Sequence, residues 1–184
     1  MQSVWEKGLR HTHFSKLEGD VNTDVLIVGG GIAGILCALK LKENGVNCLL
    51  VEAKEICGGI TKNTTAKITV GHGLLYDKLI RRYGEEKARL CLEAQLLAGR
   101  EYRRVCKDID CDYEIKDSYV YSLDDRNKIE KEILALNRLG VKARFSDAHE
   151  LPFKTAGAVK ISAQAQFDPL KFLFAVAKDL PICE

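Results

Sequence analysis

The hydrophobic pattern near the amino terminus predicts a strand, a helix and a second strand in succession. Val25 to Val28 is a short apolar run that ends at glycine, which is typical of a strand buried on both faces of a parallel sheet. Ile32 to Asn44 has helical spacing, and Gly45 fits the position just beyond a helix end. Cys48 to Val51 is a second apolar run. Together these segments predict a βαβ unit with a right-handed crossover.

The remaining pattern mixes helices and strands. A stretch of about 35 residues from Leu75 has helical spacing, and Gly84 divides it into two helices. Other predicted elements are strands at 113–123 and 158–167, a helix at 125–139, and a last helix that Asp168-Pro169 opens and that ends near Leu180. Residues 1–20 form a polar arm without a clear period. Two parallel strands are too few for a doubly wound sheet, so we expect a fragment or a sheet that is completed in an unusual way.

Composition and charge narrow the class of protein. The chain has 184 residues, of which 46% are hydrophobic and 29% charged, and this is typical of a globular protein. The net charge of +2 comes from mixed acids and bases, so nucleic acid is not favoured as a partner. The longest uncharged stretch, 25–39, is shorter than the roughly 20 residues that a membrane span needs. No secretory signal is visible in the first residues.

The seven cysteines show irregular spacing and form no C-x-x-C pair. We interpret them as reduced thiols of a cytoplasmic protein, several of them buried as small apolar side chains. No metal site is predicted from the cysteines or from the pair His11 and His13.

The turn after the first predicted strand is rich in glycine. Gly29, Gly31 and Gly34 satisfy G-x-G-x-x-G: the first permits a tight turn, the second lets backbone approach a pyrophosphate, and the third allows close packing of helix and sheet. The helix start supplies N–H groups and a positive dipole for phosphates. Glu52 ends the second strand, where a carboxylate accepts both ribose hydroxyls and repels a 2′-phosphate. This segment by itself fits either FAD or NAD.

The loop at 55–69 shifts the balance towards FAD. It is dense in hydroxyls and small residues, which lets main-chain amides and side chains hydrogen-bond a long anionic ligand. The alternative is a solvated polar loop without a ligand.

Several motifs along the chain resemble those of a known protein family. DVLIVGGGIAG, VEA, GGITKNTTAKIT, HGLLYDKLI and GEEKARL together resemble the N-terminal part of the D-amino-acid-oxidase-like FAD-dependent oxidoreductases. The chain is most similar to the branch related to gamma-glutamylputrescine oxidase, whose members often carry a C-terminal Rieske domain. The resemblance implies bound FAD and oxidation of the C–N bond of an amine or amino acid by hydride transfer to flavin. It also implies a set of cofactor-binding residues: Gly29, Gly31, Ile32, Ala33, Gly34, Glu52, Ala53, Lys54, Thr61, Thr64, Thr65 and Lys67.

The sequence departs from the family in two places. Val70-Gly71 replaces the polar Ser-Gln pair that usually precedes His-Gly-Leu. The family's later part, which completes the substrate cavity, has no counterpart after the last predicted helix, and no Rieske pattern of cysteines and histidines is present. The fold class predicted is therefore α/β, with a Rossmann-like FAD-binding unit, an incomplete parallel sheet and the beginning of an α+β substrate domain. The predicted divisions are an arm at 1–20, an FAD domain at 21–110, a substrate domain start at 111–167 and a returning helix at 168–184.

No strong catalytic residue emerges from the sequence. His72 is a weak candidate, since histidine titrates near neutrality, but a structural histidine explains it as well. Tyr113, Tyr119 and Tyr121 either line a pocket or pack on the sheet. The predicted function is an FAD-dependent oxidoreductase with a small-molecule amine substrate. The alternative is a truncated, non-catalytic dinucleotide-binding module, or a subunit that needs a partner chain or a homo-oligomer.

Overall fold

The structure is a computed structural model that describes residues 3–7, 9, 12–147 and 151–184. His11, one of the two histidines considered for a metal, lies outside these residues. The helices of the described part are Ile32–Glu43 (α1), Tyr76–Tyr83 (α2), Glu85–Cys106 (α3), Arg126–Arg138 (α4) and Pro169–Ala177 (α5). Its strands are Val25–Val28 (β1), Cys48–Val51 (β2), Lys67–Ile68 (β3), Glu114–Ser122 (β4), Ala143–Ser146 (β5), Gly157–Gln166 (β6) and Ile182–Cys183 (β7). Short 3-10 helices lie at Val4–Glu6 and Ile60–Asn63.

The chain divides into two compact units. The first contains the described residues up to Ala66 together with Asp108–Asp112 and Phe167–Glu184. The second contains Lys67–Lys107 and the described residues of Tyr113–Gln166. The helices α2 and α3 fall in the second unit, whereas the predicted FAD domain included them. The assignment of FAD-binding and substrate-binding roles to residues 21–110 and 111–167 stays a prediction.

The first unit is built on a parallel sheet with the order β1-β2-β7. Val25 pairs with Cys48 and Val28 with Val51, so the predicted βαβ unit is confirmed. The helix α1 packs against this sheet through side chains such as Ile35, which is fully buried. The predicted end of α1 is also confirmed: Asn44 caps the helix and the following glycine has a φ of +70°.

Two expectations about this sheet were wrong. Leu26 and Val28 are 57% and 80% exposed, so β1 is not buried on both faces. The reason is that α1 covers the face that carries Ile27, while the face that carries Leu26 and Val28 has no such cover among the described residues. The sheet also has a third strand: β7 pairs in parallel with β2, Leu50 opposite Ile182. A two-residue strand has no periodicity to detect, because only its pairing defines it.

In the second unit α4 packs against an antiparallel sheet with the order β3-β6-β4, in which β5 also pairs with β6, and α2 packs against α3 and α4. The predicted elements 113–123, 125–139 and 158–167 are confirmed within one or two residues as β4, α4 and β6. Gly84 divides α2 from α3 as predicted, with a φ of +86° that favours glycine. The short strands β3 and β5 were not predicted. The buried core of this unit is formed by Val70, Tyr76, Ala88, Leu92, Ile129, Ala135, Leu136, Leu139, Ala143, Val159 and Ile161.

The helix α5 begins as the sequence predicts. The Asp168 carboxylate accepts hydrogen bonds from the backbone N–H groups of Leu170 and Lys171 at 2.9 and 3.0 Å, and Pro169 occupies the first helical position. The helix ends at Ala177, three residues before the predicted end near Leu180. None of the helices in the described part combines the length and the apolar character that crossing a bilayer requires.

Candidate functional site

The glycine turn links β1 to α1 in the first unit. Gly29 leaves the strand with a φ of +111°, and its N–H donates to the Val51 carbonyl at 2.8 Å. Gly31 is the N-cap residue of α1, and as a glycine it has no side chain to cap the helix. The first N–H groups of a helix lack partners within the helix, so this start offers positive dipole and donors other than the Ile32 N–H, which bonds to the Thr61 hydroxyl.

Two of the inner glycines of the turn leave no room for a side chain, and the third leaves little. A Cβ at Gly34 would lie 2.0 Å from the Gly29 carbonyl oxygen, so α1 approaches the strand end too closely for any other residue. A Cβ at Gly30 would lie 2.7 Å from Ile56 Cγ2. A Cβ at Gly31 would lie 3.3 Å from the Thr61 hydroxyl, which is tight but not prohibitive. The turn is therefore held close to both the helix and the loop at 55–64.

Glu52 closes the same site from the end of β2. One carboxylate oxygen accepts from the Gly30 N–H at 2.8 Å and the other from the Lys54 N–H at 3.0 Å. The hydrogen bond from Gly30 is the largest cause that lowers the pKa of Glu52 below its ordinary value of 4.5. Glu52 is thus ionised at neutral pH. A carboxylate has about four acceptor sites, so Glu52 keeps capacity to accept a ribose hydroxyl beside its bonds to backbone N–H groups.

The loop after β2 folds back on the glycine turn. The Cys57 N–H donates to the Gly30 carbonyl at 2.8 Å, and the Thr61 hydroxyl accepts from the Ile32 N–H at 3.1 Å. Thr61 is buried, whereas Thr65 is exposed. Burial raises the pKa of the Cys57 thiol to about 12, so this cysteine is a neutral packing group and not a nucleophile.

The structure brings together some of the predicted residues and not others. The turn, Glu52 and Thr61 meet in the first unit through the hydrogen bonds above. Ala53 and Lys54 follow Glu52 on the surface, and the Thr64 hydroxyl accepts from the Ala66 N–H at 3.2 Å. Lys67 lies on β3, in the second unit.

The candidates for a catalytic or pocket role lie in the second unit. His72 is exposed, and its Nε2 lies 3.2 Å from the Gln95 side-chain oxygen. Tyr119 and Tyr121 are 42% and 45% exposed. The Tyr121 ring lies 5.7 Å from the Phe153 ring, and the Lys160 ammonium group lies 5.4 Å from the centre of the Tyr119 ring. These contacts show surface packing of the two tyrosines. The described residues contain no group of three His, Cys, Asp or Glu side chains that could hold a metal ion.

Sequence reasoning missed one part of this region. The residues before the first strand are not a featureless polar arm, because Ser3, Trp5 and Glu6 contact the loop at 62–64. A signal was present: Ser3 and Glu6 have the spacing of a capping box, and the structure forms both of its hydrogen bonds.

The geometry fits the ADP portion of FAD. The helix start offers N–H donors for a pyrophosphate, the glycines leave no Cβ in its way, and Glu52 presents an ionised acceptor where the adenosine ribose is expected.

Comparison with known proteins agrees with this geometry. The family described as DAO, FAD dependent oxidoreductase, matches residues 24–180. A Bacillus subtilis protein named as a Rieske 2Fe-2S iron-sulfur protein, YhfW, is 33% identical over 183 residues, which cover 97% of this chain and 36% of that protein. Gamma-glutamylputrescine oxidoreductase of Escherichia coli is 29% identical over 106 residues, 56% of this chain and 25% of that protein.

The solved structures show the same fold. An L-amino acid deaminase from Proteus vulgaris superimposes with a TM-score of 0.67 and 21% identity, over 97% of this chain and 49% of that one. The chain thus covers between a quarter and a half of the length of these longer matches. The resemblance drawn from the motifs is confirmed, and with it FAD as the cofactor of the family. The chain belongs to the DAO family of FAD-dependent oxidoreductases.

Proposed function

We propose that this chain supplies the FAD-binding part of an oxidoreductase that oxidises the C–N bond of an amine or amino acid. The observation that carries the proposal is the glycine turn with Glu52 behind it, inside the segment 24–180 that matches the family. Bound FAD supplies the acceptor for a hydride from the substrate carbon. The protein's own contribution is to bind and orient the cofactor and the substrate and to shield them from solvent.

We assign the binding roles as follows. The start of α1, with Gly31, Ile32 and Ala33, receives the pyrophosphate, and the Glu52 carboxylate accepts the ribose hydroxyls. An ionised Glu52 repels a 2′-phosphate, which favours FAD over a phosphorylated dinucleotide. The remaining proposed contacts are Gly29, Gly34, Ala53, Lys54, Thr61, Thr64, Thr65 and Lys67, and His72 is the candidate for a catalytic role.

The substrate class rests on relatives. One matched protein is named for gamma-glutamylputrescine, an amine, and a matched structure is named for an L-amino acid deaminase. The first has 29% identity over about half of this chain, and the second shows the fold alone. A small-molecule amine is therefore the proposed substrate of the whole protein.

An anaerobic reduction experiment tests the proposal. The purified chain is loaded with FAD and mixed without oxygen with a panel of primary amines, N-substituted amines and amino acids. The proposal predicts that one class bleaches the yellow flavin absorbance, because the substrate carbon donates hydride to the flavin. Bleaching by dithionite but by no member of the panel would contradict an active site within this chain.

A second candidate function is a cofactor-binding module that needs a partner chain or a second copy for catalysis. The exposure of Leu26 and Val28 on one face of the parallel sheet favours it, since apolar strand residues are usually covered. This candidate predicts FAD binding without bleaching, and bleaching once the completing chain is added.

We also propose a cytoplasmic location. All seven cysteines, each of them in the described part of the chain, carry free thiols, and four are buried as the sequence predicts. Free thiols in this number are typical of a reducing compartment. Labelling with a membrane-impermeant thiol reagent before and after lysis checks this location through the exposed Cys37.

A further inference from the structure

The amino-terminal arm, defined here as residues 3–7, is an ordered element of the first unit. Its 3-10 helix begins with a complete capping box: the Ser3 hydroxyl accepts from the Glu6 N–H, and the Glu6 carboxylate accepts from the Ser3 N–H at 2.9 Å. The Ser3 hydroxyl also accepts from the Trp5 N–H at 3.3 Å. Such reciprocal bonds satisfy the donors at a helix start and fix the direction of the side chains that follow.

Three side chains of the arm bind the loop at 62–64 through hydrogen bonds and an ion pair. The Trp5 indole N–H donates to the Thr64 carbonyl at 2.8 Å, and the Ser3 hydroxyl donates to the Lys62 carbonyl. Glu6 uses its second carboxylate oxygen to pair with the Lys62 ammonium group at 2.9 Å. The arm therefore holds both the backbone and one side chain of this loop.

The same loop touches the glycine turn on its other side. Thr61, immediately before the loop at 62–64, is buried, and its hydroxyl accepts from the Ile32 N–H at the start of α1. A Cβ at Gly31 would lie only 3.3 Å from that hydroxyl. The position of Thr61 relative to the proposed phosphate site thus depends on where the loop is held.

We propose that the amino-terminal arm is a positioning element for the FAD site, with Trp5 and Ser3 as positioning residues that act on the cofactor through Thr61. The inference rests on the proposed function, because it concerns the same FAD site. The arm fixes the loop before FAD arrives, so binding does not have to order it. Preorganisation of this kind raises affinity without adding a contact to the ligand.

The hydrogen bonds to backbone carry most of this effect. The Lys62–Glu6 pair is 25% and 13% exposed at its two side chains, so water and salt screen part of its attraction. The bonds from Trp5 and Ser3 join neutral groups and are insensitive to salt. We therefore expect the arm to act at ordinary ionic strength.

The test compares Trp5→Phe and Ser3→Ala with Val4→Ala in the intact chain. Trp5→Phe removes one donor to the loop, whereas Ser3→Ala removes one donor together with the cap of the 3-10 helix. Val4 is a matched control in the same 3-10 helix because it is 74% exposed. Equilibrium titration with FAD should give a dissociation constant about three- to tenfold higher for each test variant, the effect of one lost hydrogen bond. Val4→Ala should match the unaltered chain.

Two further readouts separate positioning from a general loss of structure. Without FAD, amide exchange at Thr64 and Ala66, whose N–H groups are bonded within the loop, should quicken in Trp5→Phe and not in Val4→Ala. In a Thr61→Val background, Trp5→Phe should raise the dissociation constant by a smaller factor than in the unaltered chain, because the coupling runs through Thr61.

The outcomes are distinct. If the unaltered chain binds FAD and all three variants bind it equally well, the inference is overturned and the proposed function stands. Unchanged amide exchange at Thr64 and Ala66 in Trp5→Phe also overturns it. If the unaltered chain binds no FAD, the proposed function fails and the inference fails with it.

Discussion

At the scale of single residues, the candidate site depends on backbone groups that a few side chains hold in place. Glu52 is the clearest case, since both of its carboxylate oxygens are fixed by N–H groups, from Gly30 in the glycine turn and from Lys54. The same carboxylate therefore shapes the turn and is the group that we propose to accept the ribose hydroxyls. Its position at the end of β2 was predicted from the sequence, whereas its bond to Gly30 was not, because no spacing rule reports which N–H a carboxylate reaches.

The lowered pKa of Glu52 gives a pH-dependent prediction. A carboxylate whose pKa is depressed by folding stabilises the folded state above its unfolded value of about 4.5 and loses that contribution as pH falls through the folded value. Glu52→Gln should therefore lower the free energy of unfolding at pH 7, because its amide group places a donor against one of the two N–H groups. Urea denaturation of both proteins should show a difference at pH 7 that shrinks below about pH 4. A difference that stays constant with pH would contradict the role of the charge.

At the scale of elements, the helices that were predicted well are those whose ends carry a capping residue or a glycine. Asp125 and Asp168 start α4 and α5 through side-chain caps, while Gly84 interrupts the long helical stretch. Such signals lie within a few residues of the boundary, so the sequence alone shows them. The strands β3 and β7 are two residues long, and only their partners define them.

Long-range contacts explain what the sequence did not show. The arm meets its loop across a separation of 59 residues, which no local pattern reports. The exposure of Leu26 and Val28 is similar, since an apolar strand has the same composition whether one face or both are covered. For the candidate site, the glycines and Glu52 were therefore predictable, whereas the bond of Thr61 to the start of α1 and the contacts of the arm with the loop at 62–64 were not.

One element contact has a large expected effect on stability. The fully buried Glu132 of α4 accepts three backbone N–H bonds at the start of α2, from Leu75, Tyr76 and Asp77 at 2.8–3.0 Å. Glu132→Ala leaves these donors unsatisfied in the core, so it should lower the free energy of unfolding by about 3 kcal/mol or more.

Chemical denaturation measures this change, and Glu130→Ala on the same helix is the control. Glu130 is exposed and pairs with Arg126 on the surface at 2.8 Å, so its removal should change the free energy of unfolding by less than about 0.5 kcal/mol. Equal effects of the two substitutions would show that Glu132 does not hold the start of α2.

At the scale of the whole molecule, the chain contains two compact units, and the residues that fit the ADP portion of FAD lie in the first. The second unit has its own core, with Lys67 and His72 outside it on the surface. The matched relatives are about two to three times as long as this chain. Holding the cofactor and turning over an amine are therefore separate properties, and the first can be tested without the second.

The most direct test of the central claim is an FAD titration of the unaltered chain and of Gly31→Val, with binding followed by flavin fluorescence. The φ of −81° at Gly31 suits valine, so the substitution adds a side chain at the proposed pyrophosphate position without straining the backbone. Gly99→Val on α3 is the control, because a Cβ there meets only Ile68 at 4.0 Å. We predict that the unaltered chain and Gly99→Val bind FAD alike and that Gly31→Val binds about tenfold more weakly or worse. Equal binding by all three, or no binding by the unaltered chain, would contradict the account.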